Sequence, residues 1–280
     1  MTTQQTGRAI ERWRSALADW AIPQEILDAA PESPWQFSAR TFAVRADRAL
    51  HEPAATPSRR RALEALPEGG SVLDVGSGAG AASLPLLGRT SRLIAVDSGQ
   101  DMLDELRARV PAGVDLTLLH GSWPDVAAQV EPVDVVVCNH VAYNLPDLDV
   151  AVRRMTDKAR RRVVLELTKE HPRASQNYLW EIFHHIQRPT RPTSDDAADV
   201  VREAGFAPTV EEWTPDDLTL TSDDLGHMVE SVRRYLCLGA DRDPEIAAAL
   251  EPRLVRRDGV IGLPPRRVVA LWWDTPGTAD

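Results

Sequence analysis

Short Val- and Leu-rich runs alternate with amphipathic helical stretches, the runs are not patterned in twos, and the first ends in a glycine-rich turn. Together these observations predict a doubly wound α/β fold built on a mostly parallel sheet. The runs are Ser71–Val75, Leu93–Val96, Leu116–Leu119, Val133–Val137 and Val163–Leu167. Strands without alternation are covered on both faces, as parallel strands between two helix layers are. Met102, Leu103, Leu106 and Val110 form one intervening helical face, and Leu145, Leu148, Val152 and Met155 form another. The resulting βαβ order implies right-handed crossovers.

A chain of 280 residues allows one large domain or two small ones, and at this size it buries roughly 75% of its surface without disulfides or metals. Ahead of the sheet, Ile10, Trp13, Leu17 and Trp20 recur at helical spacing. Pro23 opens a second helix with Ile26 and Leu27, and a third runs from Trp35 through Leu50. Residues 1–57 are therefore expected to form an N-terminal helical lid ending in a linker, His51–Ser58, and residues 58–280 the main domain. Toward the C-terminus, Thr193 or Ser194 caps a helix that ends at Gly205, and Phe206–Trp213 reads as a strand. Leu225, Met228, Val232 and Tyr235, followed by Asp243-Pro244, mark a helical insert over about 216–250. Arg266–Trp273 is the last strand.

The net charge of −10 argues against a polyphosphate partner, because nucleic-acid affinity comes largely from Lys and Arg displacing counterions. Arg59-Arg60-Arg61 and Arg160-Arg161-Arg162 read as helix-surface and strand-edge charge. Cys138 and Cys237 stand far apart with no CxxC pair, which gives no disulfide framework or metal site and fits a reducing, cytoplasmic setting. His184 and His185 are adjacent and cannot share a helix face as metal ligands. Met1–Gly7 lacks an apolar signal core, and no apolar run approaches the ~20 residues that span a bilayer.

The strongest local signal is Val72-Leu73-Asp74-Val75-Gly76-Ser77-Gly78-Ala79-Gly80: a buried strand, a glycine-rich turn, then a predicted helix. Glycines suit a turn that needs unusual φ values and lets a ligand approach the backbone. Asp97 follows the next strand, about 20 residues after Gly76, where an acidic side chain reaches ribose hydroxyls. Gly76-x-Gly78-x-x-Ala81 also satisfies the dinucleotide fingerprint, so an NAD-dependent oxidoreductase is the rival reading. Asp74 separates the two. A carboxylate beneath the turn repels a pyrophosphate but suits a ligand carrying an ammonium and a sulfonium.

Asp74-x-Gly76-x-Gly78-x-Gly80 followed by Ile94-Ala95-Val96-Asp97 resembles motif I and the following acidic motif of class I S-adenosylmethionine-dependent methyltransferases. The resemblance is clear over about Ser58–Leu167 and weaker to Trp273. It implies the Rossmann-like methyltransferase fold, a seven-stranded sheet whose last strand is antiparallel. It implies S-adenosyl-L-methionine as cofactor, with Asp74, Gly76, Ser77, Gly78 and Gly80 at its methionine part and Asp97 on the ribose diol. Ser98 and Met102 would flank the adenine. Ser122 stands where the family often has an Asp bonded to the adenine amino group, and Trp123 would stack on the ring. Asn139 and His140, at the end of the fourth strand, would meet the methionine portion; no NPP-type tetrapeptide stands there.

For proton transfer, His140 and Tyr143 are the candidate general bases. Trp35, Phe37 and Phe42 read first as packing residues, with lining of an acceptor pocket as the alternative. The leading expectation is a small-molecule methyl acceptor, no nucleic acid, no membrane and no metal, with oligomeric state left open. A macromolecular (protein or RNA) methyltransferase is the alternative, and a cofactor-binding protein without transferase activity stands third.

Overall fold

The structure, a computed structural model, describes residues 7–35, 39–51, 55–222, 224–257 and 259–275. In chain order the first elements are α1 (Arg8–Ala18), α2 (Gln24–Ala29), α3 (Ala39–His51), α4 (Pro57–Ala65), β1 (Gly70–Val75), β2 (Thr90–Asp97), α5 (Gln100–Arg107) and β3 (Asp115–His120). They continue with β4 (Val133–Asn139), α6 (Leu148–Lys158), β5 (Ala159–Thr168), α7 (Asn177–His184), α8 (Ser194–Glu203) and β6 (Thr209–Trp213). Last come β7 (Thr219–Ser222), α9 (Leu225–Tyr235), α10 (Asp243–Leu250), β8 (Val255–Arg257), β9 (Val260–Leu263) and β10 (Val268–Asp274).

Seven strands form the main sheet in the order β3-β2-β1-β4-β5-β10-β6. Strands β1 to β5 pair in parallel, and β10 runs antiparallel to both β5 and β6. The fold is the doubly wound, mostly parallel one that the sequence predicts. Side-chain alternation sorts each strand between two cores. Leu73, Val75, Ile94, Val96, Val163, Leu165 and Leu167 face the layer of α1, α6 and α8. Val72, Leu93, Ala95, Val135, Val137 and Val164 face the layer of α3, α4 and α5.

Three elements depart from expectation. The stretch after the glycine turn forms turns and a 3₁₀ helix over Leu84–Arg89 rather than an α-helix. Pro85 and Gly88 both weaken an α-helix there. The C-terminal addition is not purely helical: β7, β9 and β8 make a small antiparallel sheet, so the addition extends past residue 250 to Leu263. Finally, α7 lies between β5 and α8 and joins α9 and α10 in a third core around Leu179, Trp180, Tyr235 and Ile246.

The N-terminal helices divide in two. Trp13 of α1 is fully buried in the core beneath the sheet, and the Gly7 and Ala9 amides donate to Glu203 of α8 at 2.6 and 2.8 Å. By contrast, α3 lies over the carboxyl edge of the sheet, held by Arg109, just after α5, to Asp47 at 2.7 Å. At the start of α8, Thr193 makes the expected cap, in a reciprocal box with Asp196. Among the described residues, no helix is long and apolar enough to cross a membrane.

Candidate functional site

Strand register assembles a polar row on the α3–α5 face of the sheet. Asp74 pairs with Ala95 of β2 and Val137 of β4, and Asn139 pairs with Glu166 of β5. Residues two apart on a strand share a face. Asp97, Asp74, Asn139 and Glu166 therefore lie on one face of four adjacent strands at their carboxyl ends, where open α/β sheets bind ligands.

The glycine turn closes over the deepest of them. The Gly76 and Ser77 amides donate to the Val96 carbonyl at 2.8 and 3.0 Å. Gly76 has φ +68°, and a Cβ there would stand 2.3 Å from Val141 Cγ2; at Gly80, with φ +95°, it would stand 2.4 Å from Leu106 Cδ1. Only glycine fits either position. A Cβ at Gly78 would point at the Phe42 ring of α3, 3.4 Å away, so α3 covers this part of the loop. Ser77 is buried beneath the turn.

Asp97 fastens the turn from the side. Its Oδ2 accepts from the Gly78 amide at 2.7 Å and its Oδ1 from the Gly99 amide at 2.8 Å. Each carboxylate oxygen keeps a second lone pair for another donor. Ser98 is exposed and Met102 half-buried at the adjoining start of α5.

Asp74 is the exception in this network. It is 1% exposed, and neither carboxylate oxygen has a hydrogen-bond partner of normal geometry. Burial pushes its pKa up to about 7; the charge of Asp97 adds to this and Ser83 opposes it. The buried Oδ1 of Asn139 is likewise unpartnered. These acceptors demand N–H donors and positive charge. The site therefore fits the methionine end of S-adenosylmethionine.

At the far end of the row, His140 leaves β4 with φ +61°, an unusual conformation for a residue with a side chain. Its amide donates to the Glu166 carbonyl at 2.6 Å, and its Nε2 lies 3.0 Å from Glu166 Oε1. Glu166 Oε2 accepts from the Ser58 hydroxyl of α4. Burial alone would raise Glu166, but His140 and Ser58 outweigh it and hold its pKa below the ordinary value. The imidazole itself is 46% exposed at the mouth. Glu166 and Ser58 are site residues that the sequence motifs do not single out.

Two expected site residues belong elsewhere. Trp123 is 5% exposed in the opposite core, with its indole N–H donating to the Ala151 carbonyl at 3.1 Å; it has no open face on which an adenine stacks. Tyr143 lies in the same core, stacked on Trp13 with ring centroids 5.6 Å apart. Its hydroxyl donates to the Thr168 carbonyl at 2.7 Å, and burial drives its pKa upward. Tyr143 is a packing residue and not a general base. Ser122 is exposed beyond the end of β3, Trp35 is 55% exposed, and Phe37 lies outside the described residues.

Residues 72–162 match the family described as "Methyltransferase domain". An uncharacterized protein of Haemophilus influenzae is 35% identical over 104 residues, which are 36% of this chain and 38% of that protein. The match thus spans well under half the length of that curated relative. A presumptive methyltransferase from Bacillus halodurans C-125 aligns with a TM-score of 0.52 at 16% identity, over 79% of this chain and 99% of its own. A cyclopropane-fatty-acyl-phospholipid synthase-like protein from Lactobacillus casei aligns with a TM-score of 0.53 at 17% identity, over 89% and 98%. These two likenesses establish the fold. The matched family covers about a third of the chain, residues 72–162, and the glycine turn, Asp74, Asp97 and Asn139 all lie within it.

Proposed function

We propose that the protein transfers a methyl group from S-adenosylmethionine to a small-molecule acceptor. The observation that carries this reading is the unpartnered Asp74 carboxylate buried beneath the glycine turn. The ammonium of S-adenosylmethionine supplies the missing donors, and its sulfonium adds favourable charge, whereas the pyrophosphate of NAD would add repulsion. On this reading Asp74, Asn139 and the turn hold the methionine end, Asp97 takes the ribose hydroxyls, and Ser98, Met102 and Ser122 border the adenine.

The bound cofactor supplies an already activated methyl group for in-line displacement. The chain's own contribution is then placement and proton management. A neutral His140 that donates from Nε2 to Glu166 presents Nδ1 as a proton acceptor at the mouth. A proton leaving an acceptor hydroxyl or amine passes to that nitrogen, and Glu166 stabilises the imidazolium formed. His140→Ala should lower methyl transfer from saturating labelled S-adenosylmethionine into a small-molecule extract by about 100-fold or more. Undiminished transfer would remove His140 from the chemistry.

The charge distribution supports a small acceptor. Arg60 and Arg61 pair with Glu211, Arg161 with Asp134, and Arg162 with Glu64 and Asp274. Four of the six arginines in the two runs are therefore paired with carboxylates rather than offered to phosphates. The roof formed by α3 over Gly78 favours a small ligand in the same way. Filter-binding titrations with duplex DNA and structured RNA at two salt concentrations should show no sub-micromolar binding. Tight binding that weakens steeply with salt would instead indicate phosphate contacts and a nucleic-acid acceptor.

A further inference from the structure

Four arginines from separate segments come together around His171 and Arg266. Arg188 is 9% exposed, and it donates to the Trp20 carbonyl and, at 3.0 Å, to the Ala21 carbonyl. Its guanidinium stacks on Trp180 at 4.7 Å, and its buried Nε has no acceptor. Arg266, just ahead of β10, donates to the Pro172 carbonyl, and its Nε is likewise buried without an acceptor. Arg173 lies over the Tyr235 ring at 4.1 Å. Arg45 enters from α3, 5.7 Å from the ring of Phe42, the residue that covers Gly78.

The surroundings register how closely these groups crowd. His171 stacks on Trp20 at 3.7 Å and meets Tyr143 edge-on at 5.2 Å. Burial, and then the charges of Arg173, Arg188 and Arg266, pull His171 down to about 3. Burial and the charges of Arg45 and Arg173 pull Arg266 down to about 10. Among the described residues, none of Arg45, Arg188 and Arg266 has a carboxylate within ion-pair distance, whereas Arg60, Arg109, Arg162, Arg191 and Arg233 each do. In a chain of net charge −10, that is a local inversion of sign.

Mutually repelling, partly desolvated guanidiniums are stabilised by an anion that takes their N–H donors, and guanidinium forks match carboxylate and phosphate geometry. Arg266 also borders a cavity of about 530 Å³ that Ser175 and Arg253 help to line, a volume suited to a small organic ligand. We propose that Arg45, Arg173 and Arg266 form the subsite that holds a carboxylate or phosphate group of the methyl acceptor, with Arg188 fixing its floor. The inference rests on the methyltransferase reading and narrows the acceptor to small anionic molecules. Through α3, where Phe42 and Arg45 sit one turn apart, the same helix covers the glycine turn and closes on the anion.

Calorimetric titration of the intact protein with inorganic phosphate, with acetate and with S-adenosylhomocysteine, at constant ionic strength set by chloride, tests this. One of the two anions should bind saturably, phosphate indicating a phosphate-bearing acceptor and acetate a carboxylate-bearing one. Arg266→Gln and Arg45→Gln should each weaken it about tenfold or more, with S-adenosylhomocysteine affinity unchanged within twofold. Arg45 is exposed, so its variant reports on binding even if Arg266→Gln folds poorly. No saturable anion binding in protein that binds S-adenosylhomocysteine overturns the subsite. A parallel loss of S-adenosylhomocysteine affinity in both variants overturns it too, assigning the arginines to the cofactor's own carboxylate. Anion binding that is lost in the variants, in protein that never binds S-adenosylhomocysteine, leaves the anion site standing and removes the methyltransferase reading.

Discussion

Replacing Asp74 with Asn should weaken S-adenosylhomocysteine binding more than 100-fold while stabilising the unliganded protein above neutral pH. Both effects come from one unpartnered buried carboxylate. Breaking a buried charge pair costs about 3–5 kcal/mol, and under the proposed function the cofactor's ammonium is the partner of Asp74. In the free protein Asp74 titrates near 7 because burial, and secondarily Asp97, disfavour its charge. The folded pKa thus lies above the unfolded one. The stability this provides is fully present below about pH 4 and is lost as pH rises through about 7. At pH 8 the buried charge opposes folding by up to about 4 kcal/mol, following the conversion of pKa differences to free energy. Asn carries no such burden, so the variant's advantage should vanish at pH 4 and be largest at pH 8 in urea melts. For the same reason, cofactor affinity of the unaltered protein should rise between pH 6 and pH 8, and the Asn variant should lose that slope. Retained affinity in Asp74→Asn would place the cationic end of the ligand somewhere else.

Trp13→Ala should cost about 3–5 kcal/mol, the range for removing a buried aromatic side chain. Trp13 has no exposed surface, donates from its indole to the Leu145 carbonyl at 2.9 Å and stacks on Tyr143. It therefore joins α1 to the segment that follows β4 and begins with His140. Were α1 part of a detachable lid, as residues 1–57 read in the sequence, the loss would be local and the main transition unmoved. The structure instead predicts a single urea transition shifted by the full amount. A shift below 1 kcal/mol, or a separate early transition, would return α1 to the lid.

The strands are legible because each buried run has to be apolar on both faces, and the single polar residue inside such a run then stands out. Asp74 is recognisable that way. Glu166 carries the same signal, a carboxylate in the run Val163-Val164-Leu165-Glu166-Leu167, but no glycine turn follows it to draw attention to a ligand. Trp123 lies in a loop, where strand parity no longer says which face a side chain takes, and so its burial in the opposite core is not readable from spacing. The hairpin of β8 and β9 hides among helical spacings, although Asp258-Gly259 is a hairpin signal and Gly259 has φ +75°. The segment of α7 is apolar at Tyr178, Leu179, Trp180, Ile182 and Phe183, too uniform to display one helical face. No local pattern announces the arginine cluster. Its members come from α3, the segments after β5 and α7, and the approach to β10, and only the sheet topology brings them together.

If the glycine turn, Asp74 and Asp97 form a site for S-adenosylmethionine and not for a dinucleotide, ligand selectivity must show it. Isothermal titration of the unaltered protein with S-adenosylmethionine, S-adenosylhomocysteine and NAD is the most direct test, with Asp97→Ala as the internal control. The expected result is saturable binding of the first two ligands, none of NAD, and a loss of about 1.5–3 kcal/mol in the variant, the range for hydrogen bonds to a charged group. Tight binding of NAD with no response to S-adenosylmethionine would contradict the assignment.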